Sequence, residues 1–253
     1  MSSNEALVLI ERRGDVAVVR LNRPEARNAM NAALAQATID AIDSCQDAGA
    51  IVLTGTDPAF CAGLDLRDLG VPKLSDLPRF TGAAVGSGVP VIAAVNGPAV
   101  TGGFELALAC DVMVASDKAR FADTHLRVGV YPGPVLVDLP RRIGPAWARE
   151  MSLTGNFVDA ETALRIGLVN HVVPHDELVP FAVELATAIA EQDRTMVSAM
   201  RTDWDATDRL PVAAAHAEHN RFAQEQGLRD GTSADLASHR EGVIRRAHEQ
   251  LHG

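Results

Sequence analysis

PVIAAVNGPAVTGGFELALACDVMVAS, residues 90 to 116, carries one lone carboxylate, Glu105, in sequence that is otherwise small and apolar. VPVIAAVNG reads as a strand, residues 102 to 110 as a helix opened by paired glycines, and DVMVAS as a second strand. That alternation is the pattern of a parallel sheet. A buried unpaired charge in such a setting costs several kcal/mol. Glu105 is therefore either retained for chemistry or is a first-turn acid that complements the helix dipole.

The same pattern extends outward on both sides. LVLIERRGDVAVVRLNRP predicts two short strands turned at Gly14-Asp15 and ended by Pro24. Residues 31 to 45 have helical spacing, and AIVLTG is a short apolar strand bounded by glycine. Beyond Pro132 the strand signals thin to LVNHVV, residues 168 to 173. The rest reads as helical, with amphipathic runs at 176 to 190, 195 to 206 and 213 to 226 and a last helix at 234 to 251. The chain is thus expected to be α/β, with a core over residues 1–195 and a C-terminal helical region over 196–253. There is no internal repeat or low-complexity tract.

Composition narrows the function. A chain of 253 residues buries a sizeable core without cross-links. Its three cysteines, Cys45, Cys61 and Cys110, cannot all pair and lack metal-ligand spacing, so they read as packing residues and no metal is expected. No apolar run has the length of a membrane span, and the N-terminus lacks the layout of an export signal, so a cytoplasmic location is expected. A formal net charge of −10 disfavours sequence-independent nucleic-acid binding.

Two glycine motifs are excluded. Gly97 to Gly102 has phosphate-loop spacing, but Gly103 and Phe104 follow where Lys and Ser/Thr are needed. No G-x-G-x-x-G follows a strand, which leaves a dinucleotide cofactor without support. What remains is an anion site of another kind. Paired glycines let a ligand approach the backbone, and the first N–H groups of a helix are unsatisfied. Glu105, three residues beyond Gly102, shares that helix face.

Five ordered blocks resemble the enoyl-CoA hydratase/isomerase, or crotonase, family. They are LNRPEARNAMN (21 to 31), IVLTGTDPAFCAGLDL (51 to 66), PVIAAVNGPAVTGGFELALACDVMVAS (90 to 116), FADTHLRVGVYPG (121 to 133) and MSLTGNFVDAETALRIGLVNHVV (151 to 173). The resemblance implies a spiral of ββα units, a C-terminal helical region that makes trimer contacts, and a homotrimer or dimer of trimers. It also implies an acyl-CoA thioester as substrate, coenzyme A being part of that substrate and no separate cofactor being required.

By the same resemblance the thioester oxygen is held by the backbone N–H groups of Leu64 and Gly102, an oxyanion hole. Removing one such donor typically costs about 10²–10³ in rate. Ala26, Arg27, Ala62, Gly63, Asp65 and Leu66 fall where the family clasps the CoA. Arg27 either meets a phosphate or is a solvated surface residue. Hydratases of the family hold a water between two glutamates. Glu105 matches the first, while the second position holds His125. Histidine shuttles protons near neutral pH, so His125 is read either as an acid/base group or as pocket lining. Asp123 is the nearest other carboxylate; on a strand it shares a side with residue 125, and on a helix it does not.

Isomerases of this kind usually keep the second acid and drop the first, the reverse of this chain. Hydration of a 2-enoyl-CoA is accordingly the first expectation. A non-catalytic acyl-CoA binder and an enoyl-CoA isomerase are the alternatives. The ending SHREGVIRRAHEQLHG departs from the family's, with Arg245 and Arg246 as candidates for a CoA phosphate, and acyl length is expected to depend on residues 69 to 80.

Overall fold

A computed structural model describes residues 6–208 and 210–228. The chain divides after Arg194 into two units. The first begins with β1 (Val8–Arg13) and β2 (Val16–Leu21), an antiparallel pair turned at Gly14-Asp15. α1 (Ala32–Asp43) follows, capped where the Asn31 side chain accepts from the Leu34 N–H at 2.9 Å. β3 (Ala50–Gly55), a short α2 (Thr81–Val85), β4 (Val91–Val95), β5 (Pro98–Val100), α3 (Gly102–Leu108), β6 (Val112–Ser116) and β7 (Arg120–Ala122) come next. The unit continues with α4 (Val135–Ile143), α5 (Pro145–Thr154), β8 (Val158–Asp159), α6 (Ala160–Arg165), β9 (His171–Val173) and α7 (Leu178–Ala190).

The main sheet runs β1-β2-β3-β4-β6-β9, parallel from β2 onward. Its central strands are apolar throughout because both faces are buried. One face presents Val19, Leu53, Ala93 and Met113 to a core that includes α1 and α3 residues. The other presents Val18, Val52, Ile92 and Val114 to Leu178, Ala182 and Ala186 of α7. A second sheet, β5-β7-β8, pairs β5 with β7 in parallel and β7 with β8 antiparallel. Strands of two or three residues have no periodicity to read, and these were not separately legible in the sequence. The second unit carries α8 (Arg194–Thr207) and α9 (Val212–Glu225), and the His219 imidazole bonds the Asp203 carboxylate between them. The expected helix at 234 to 251 lies outside the described residues.

Buried polar side chains fix the loops that leave β3 and β4. Asn28, fully buried, donates to the carbonyls of Thr56 (2.8 Å) and Ala59 (2.7 Å) and accepts from the Arg23 N–H (2.9 Å). Asn96 accepts from the Gly55 N–H and donates to Asp57. Together they hold residues 56 to 61 against the start of β5.

That contact requires glycine at position 103. A Cβ there would lie 2.2 Å from the Cys61 carbonyl oxygen, with no flexible side-chain end to yield. Gly103→Ala is expected to destabilise the fold by about 3 kcal/mol. Gly82→Ala, whose Cβ would meet nothing within 4 Å, is expected to be neutral or stabilising by up to about 1 kcal/mol. Urea unfolding midpoints of the two variants check the contrast.

Candidate active site

The site begins where residues 61 to 64 run between two other segments. On one side the Cys61 N–H donates to Pro98 O (3.1 Å) and its carbonyl accepts from the Val100 N–H (3.0 Å), a parallel bridge between Cys61 and Ala99. On the other side the Ala62 N–H donates to Arg27 O (3.1 Å), the Met30 N–H to Gly63 O (2.7 Å) and the Asp65 N–H to Met30 O (2.8 Å). In a parallel bridge of this kind the residue flanked by the bonds, here Leu64, turns its own N–H away from Met30. The Leu64 N–H therefore faces the side on which residues 98 to 102 run.

From the rung at 61 and 99, three further residues on each strand lead to Leu64 and to Gly102. Their proximity shows in the Leu64 Cδ2 atom, which lies 3.7 Å from where a Gly102 Cβ would stand. The Phe80 ring lies 3.1 Å from the same point. Neither N–H has an acceptor among the described residues. Gly63 takes φ +94°, which glycine adopts at no steric cost. Thr101 has φ +50°, a strained value for a β-branched residue. It is held by its N–H on Ala122 O (2.9 Å) and its hydroxyl on that of Thr124 (3.1 Å). Two adjacent unsatisfied N–H groups on a braced backbone can donate together to one oxygen that gains negative charge.

Glu105 stands one helical turn beyond Gly102 and is 7% exposed. The sequence shows no cation to pair it, and the structure supplies main-chain donors instead. Its Oε1 accepts from the Val135 N–H at the start of α4 (3.2 Å). A Cβ at Gly133 would lie 3.1 Å from the same oxygen, so the chain approaches the carboxylate closely there. Burial raises the Glu105 pKa above the ordinary carboxylate value, against the Val135 N–H, the charge of His125 and the Gly133 N–H, while the Asp123 charge adds to the rise. Residues 133 to 135 were missed in the sequence. A Gly-Pro pair opening a helix was the available signal.

His125 opens a single 3₁₀ turn, His125–Val128, directly after β7. Its Nδ1 lies 2.6 Å from Asp123 Oδ1, and both side chains are buried. The His125 N–H also donates to that oxygen, at 3.3 Å. Burial raises the Asp123 pKa, but the His125 bond together with the Ser152 hydroxyl and the His125 N–H outweighs it, leaving the carboxylate below its ordinary value. Asp123 Oδ2 is buried with no partner in hydrogen-bond geometry among the described residues. The registry Val100↔Ala122 between β5 and β7 brings this turn beside Thr101 and Gly102.

The remaining candidates sit around the same loop. Ala26 closes a 3₁₀ turn and Arg27 caps it at φ +53°, with an exposed side chain. Ala62 is half-buried, Gly63 is buried, and Leu66 is 67% exposed. Asp65 is committed to structure. Its Oδ2 meets Arg23 Nη1 at 2.6 Å, and its Oδ1 accepts from the Arg67 and Asp68 N–H groups. Burial raises the Asp65 pKa, but Arg23 and those N–H groups bring it below the usual value. Arg23 thereby steadies the backbone next to Leu64, a role the sequence did not disclose. Arg245 and Arg246 lie outside the described residues. Cys61 and Cys110 are buried thiols, and desolvation pushes Cys61 up to about 12. Among the described residues no cluster of three His, Cys, Asp or Glu side chains is arranged to hold a metal, and no helix is long and apolar enough to cross a membrane.

Comparison with known proteins agrees with this architecture. The sequence model of the family described as enoyl-CoA hydratase/isomerase matches residues 11–245. A probable peroxisomal enoyl-CoA hydratase of Arabidopsis thaliana is 35% identical over 245 residues, spanning 88% of this chain and 91% of that protein. The crystal structure of an enoyl-CoA hydratase from Mycobacterium avium is 41% identical with a TM-score of 0.74, covering 88% of this chain and 99% of that one. One from Geobacillus kaustophilus is 28% identical with a TM-score of 0.84, covering 95% and 97%. The α/β architecture is thus the crotonase fold, with its C-terminal helical region, and the chain belongs to the enoyl-CoA hydratase/isomerase family.

Proposed function

We propose that the protein adds water across the α,β double bond of a 2-enoyl-CoA thioester. The observation that carries this reading is the pair of unsatisfied N–H groups, Leu64 and Gly102, set beside the buried carboxylate of Glu105. As water attacks the β-carbon, an electron pair moves through the double bond to the thioester oxygen. The two N–H groups offset the charge that develops there. Glu105 and His125 handle the protons, one leaving the water and one reaching the α-carbon. Coenzyme A travels with the substrate, so the reaction needs no separate cofactor. The loops at 26–27 and 62–66 are the surface offered to the CoA. The family resemblance is the ground for a homotrimer or dimer of trimers, and three free cysteines, which suit a reducing compartment, are the ground for a cytoplasmic location.

A second reading has its own observation. His125 stands where hydratases carry an acid and is tied to Asp123, as suits an acyl-CoA binder that no longer turns substrate over. Glu105 argues against it, since a binder has no use for a buried carboxylate whose pKa is raised. Steady-state hydration of crotonyl-CoA and longer enoyl-CoA substrates separates the two. Glu105→Gln is expected to lose about 10²–10⁴-fold in kcat, about 3–5 kcal/mol of barrier, with acyl-CoA affinity retained. A wild-type protein that binds acyl-CoA and hydrates no enoyl-CoA would establish the binder.

The raised pKa of Glu105 also sets a stability prediction. The folded state holds this proton more tightly than the unfolded chain does. Its contribution is full below the ordinary glutamate value and is lost as pH rises through the raised one. Glu105→Gln removes that loss. The melting temperature of the variant is therefore expected to gain on wild type between about pH 4 and about pH 8, as thermal unfolding at the two values would show.

A further inference from the structure

We propose that Asp123 is a positioning residue that makes His125 the base of the hydration step and leaves Glu105 as the acid. The proposal rests on the hydratase reading above and adds to it a division of roles and a residue that acts through another.

The geometry fixes the tautomer. An ionised carboxylate only accepts hydrogen bonds, so the 2.6 Å contact between Asp123 Oδ1 and His125 Nδ1 requires the proton on Nδ1. In the neutral ring the lone pair is then on Nε2. No group among the described residues bonds Nε2, which leaves its lone pair for a water or ligand. The ring cannot readily turn over, because Asp123 Oδ1 also accepts the His125 N–H and the residue is 5% exposed.

The surrounding backbone brings the turn that carries this group beside the Gly102 N–H. β5 and β7 are in register at Val100 and Ala122, the Thr101 N–H donates to Ala122 O, and the Thr101 and Thr124 hydroxyls meet at 3.1 Å. Gly102 and His125 each follow one of those residues. Arg127 anchors the far side of the turn, donating to Thr154 O and Asn156 Oδ1. The ionisable groups that act on one another here are Glu105 from α3 with Asp123 and His125 from the turn after β7, and the Ser152 hydroxyl of α5 acts on Asp123. Asp123 Oδ2 is buried without a partner in hydrogen-bond geometry among the described residues.

The step balances. His125 Nε2 takes a proton from the water as its oxygen bonds the β-carbon. The π pair moves to the thioester oxygen, and protonated Glu105 then gives its proton to the α-carbon as the enolate collapses. An imidazolium and a carboxylate are left, both neutralised when the proton passes from His125 to Glu105 directly or through solvent.

Asp123→Asn and Asp123→Ala test this by two readouts. The first is the ¹⁵N spectrum of the His125 ring, assigned with His125→Gln, which reports the tautomer without any turnover. Wild type is expected to show the Nδ1–H form, and Asp123→Ala a shift of population to Nε2–H. The second is steady-state hydration. Both variants are expected to lose about 10²-fold or more in kcat while KM changes by less than about threefold. Unchanged tautomer in Asp123→Ala, or unchanged kcat in both variants, would overturn the assignment, as would a KM increase with kcat preserved. If wild type hydrates no enoyl-CoA, the hydratase reading falls, and the proposed roles with it. If wild type turns over and the variants match it, the hydratase reading stands and this inference alone fails.

Discussion

The strip of chain from Cys61 to Leu64, lying parallel to Ala99–Gly102, is the contact on which the site depends. It consists of one rung of sheet, closed by the Cys61 N–H and carbonyl, after which the two strands part and leave an N–H on each without an acceptor. Such groups are normally costly inside a protein. They persist because the backbone around them is over-determined, by Asn28 under the loop, the Arg23–Asp65 pair beside it, and Thr101 held at positive φ by β7. The close contact of Gly103 with Cys61 sets the separation of the two strands. An oxygen that meets both N–H groups finds donors that need no reorganisation.

A second economy concerns charge. Glu105, Asp123 and His125 are all buried and all feel one another. Three buried ionisable groups are held at tolerable cost by giving them different partners. Main-chain N–H groups at the start of α4 receive Glu105, while the imidazole receives Asp123. The outcome is two carboxylates driven in opposite directions, one above and one below the ordinary value. In the proposed division of roles the raised group, Glu105, is the acid, and the lowered one, Asp123, holds the His125 ring that acts as base.

Much of this was legible in the sequence, and the reason is local. β3 and β4 are apolar runs between glycines, α1 announces itself by Asn31, and the hairpin turns at Gly14. The paired glycines before Glu105, and by resemblance the CAGLD loop, pointed to the two segments whose N–H groups lack acceptors among the described residues. What stayed hidden depends on partners distant in the chain. β5, β7 and β8 are too short to carry a period and exist because they pair with each other. Asp65 faces Arg23 across 42 residues, and Glu105 meets a backbone N–H 30 residues away, where no side chain advertises the contact. The Asp123–His125 pair was a question of whether residue 123 stood on a strand or a helix. The structure places it between the two, at the end of β7 and before the 3₁₀ turn, where the side chains converge.

The central claim is that a thioester carbonyl rests on the Leu64 and Gly102 N–H groups. Infrared difference spectra of bound butyryl-CoA, a saturated thioester that cannot be hydrated, report on this directly when its carbonyl carries ¹³C. The account predicts a carbonyl band at lower wavenumber in the complex than in water, because two fixed donors polarise the bond more than mobile solvent does. A band at or above its position in water would contradict it.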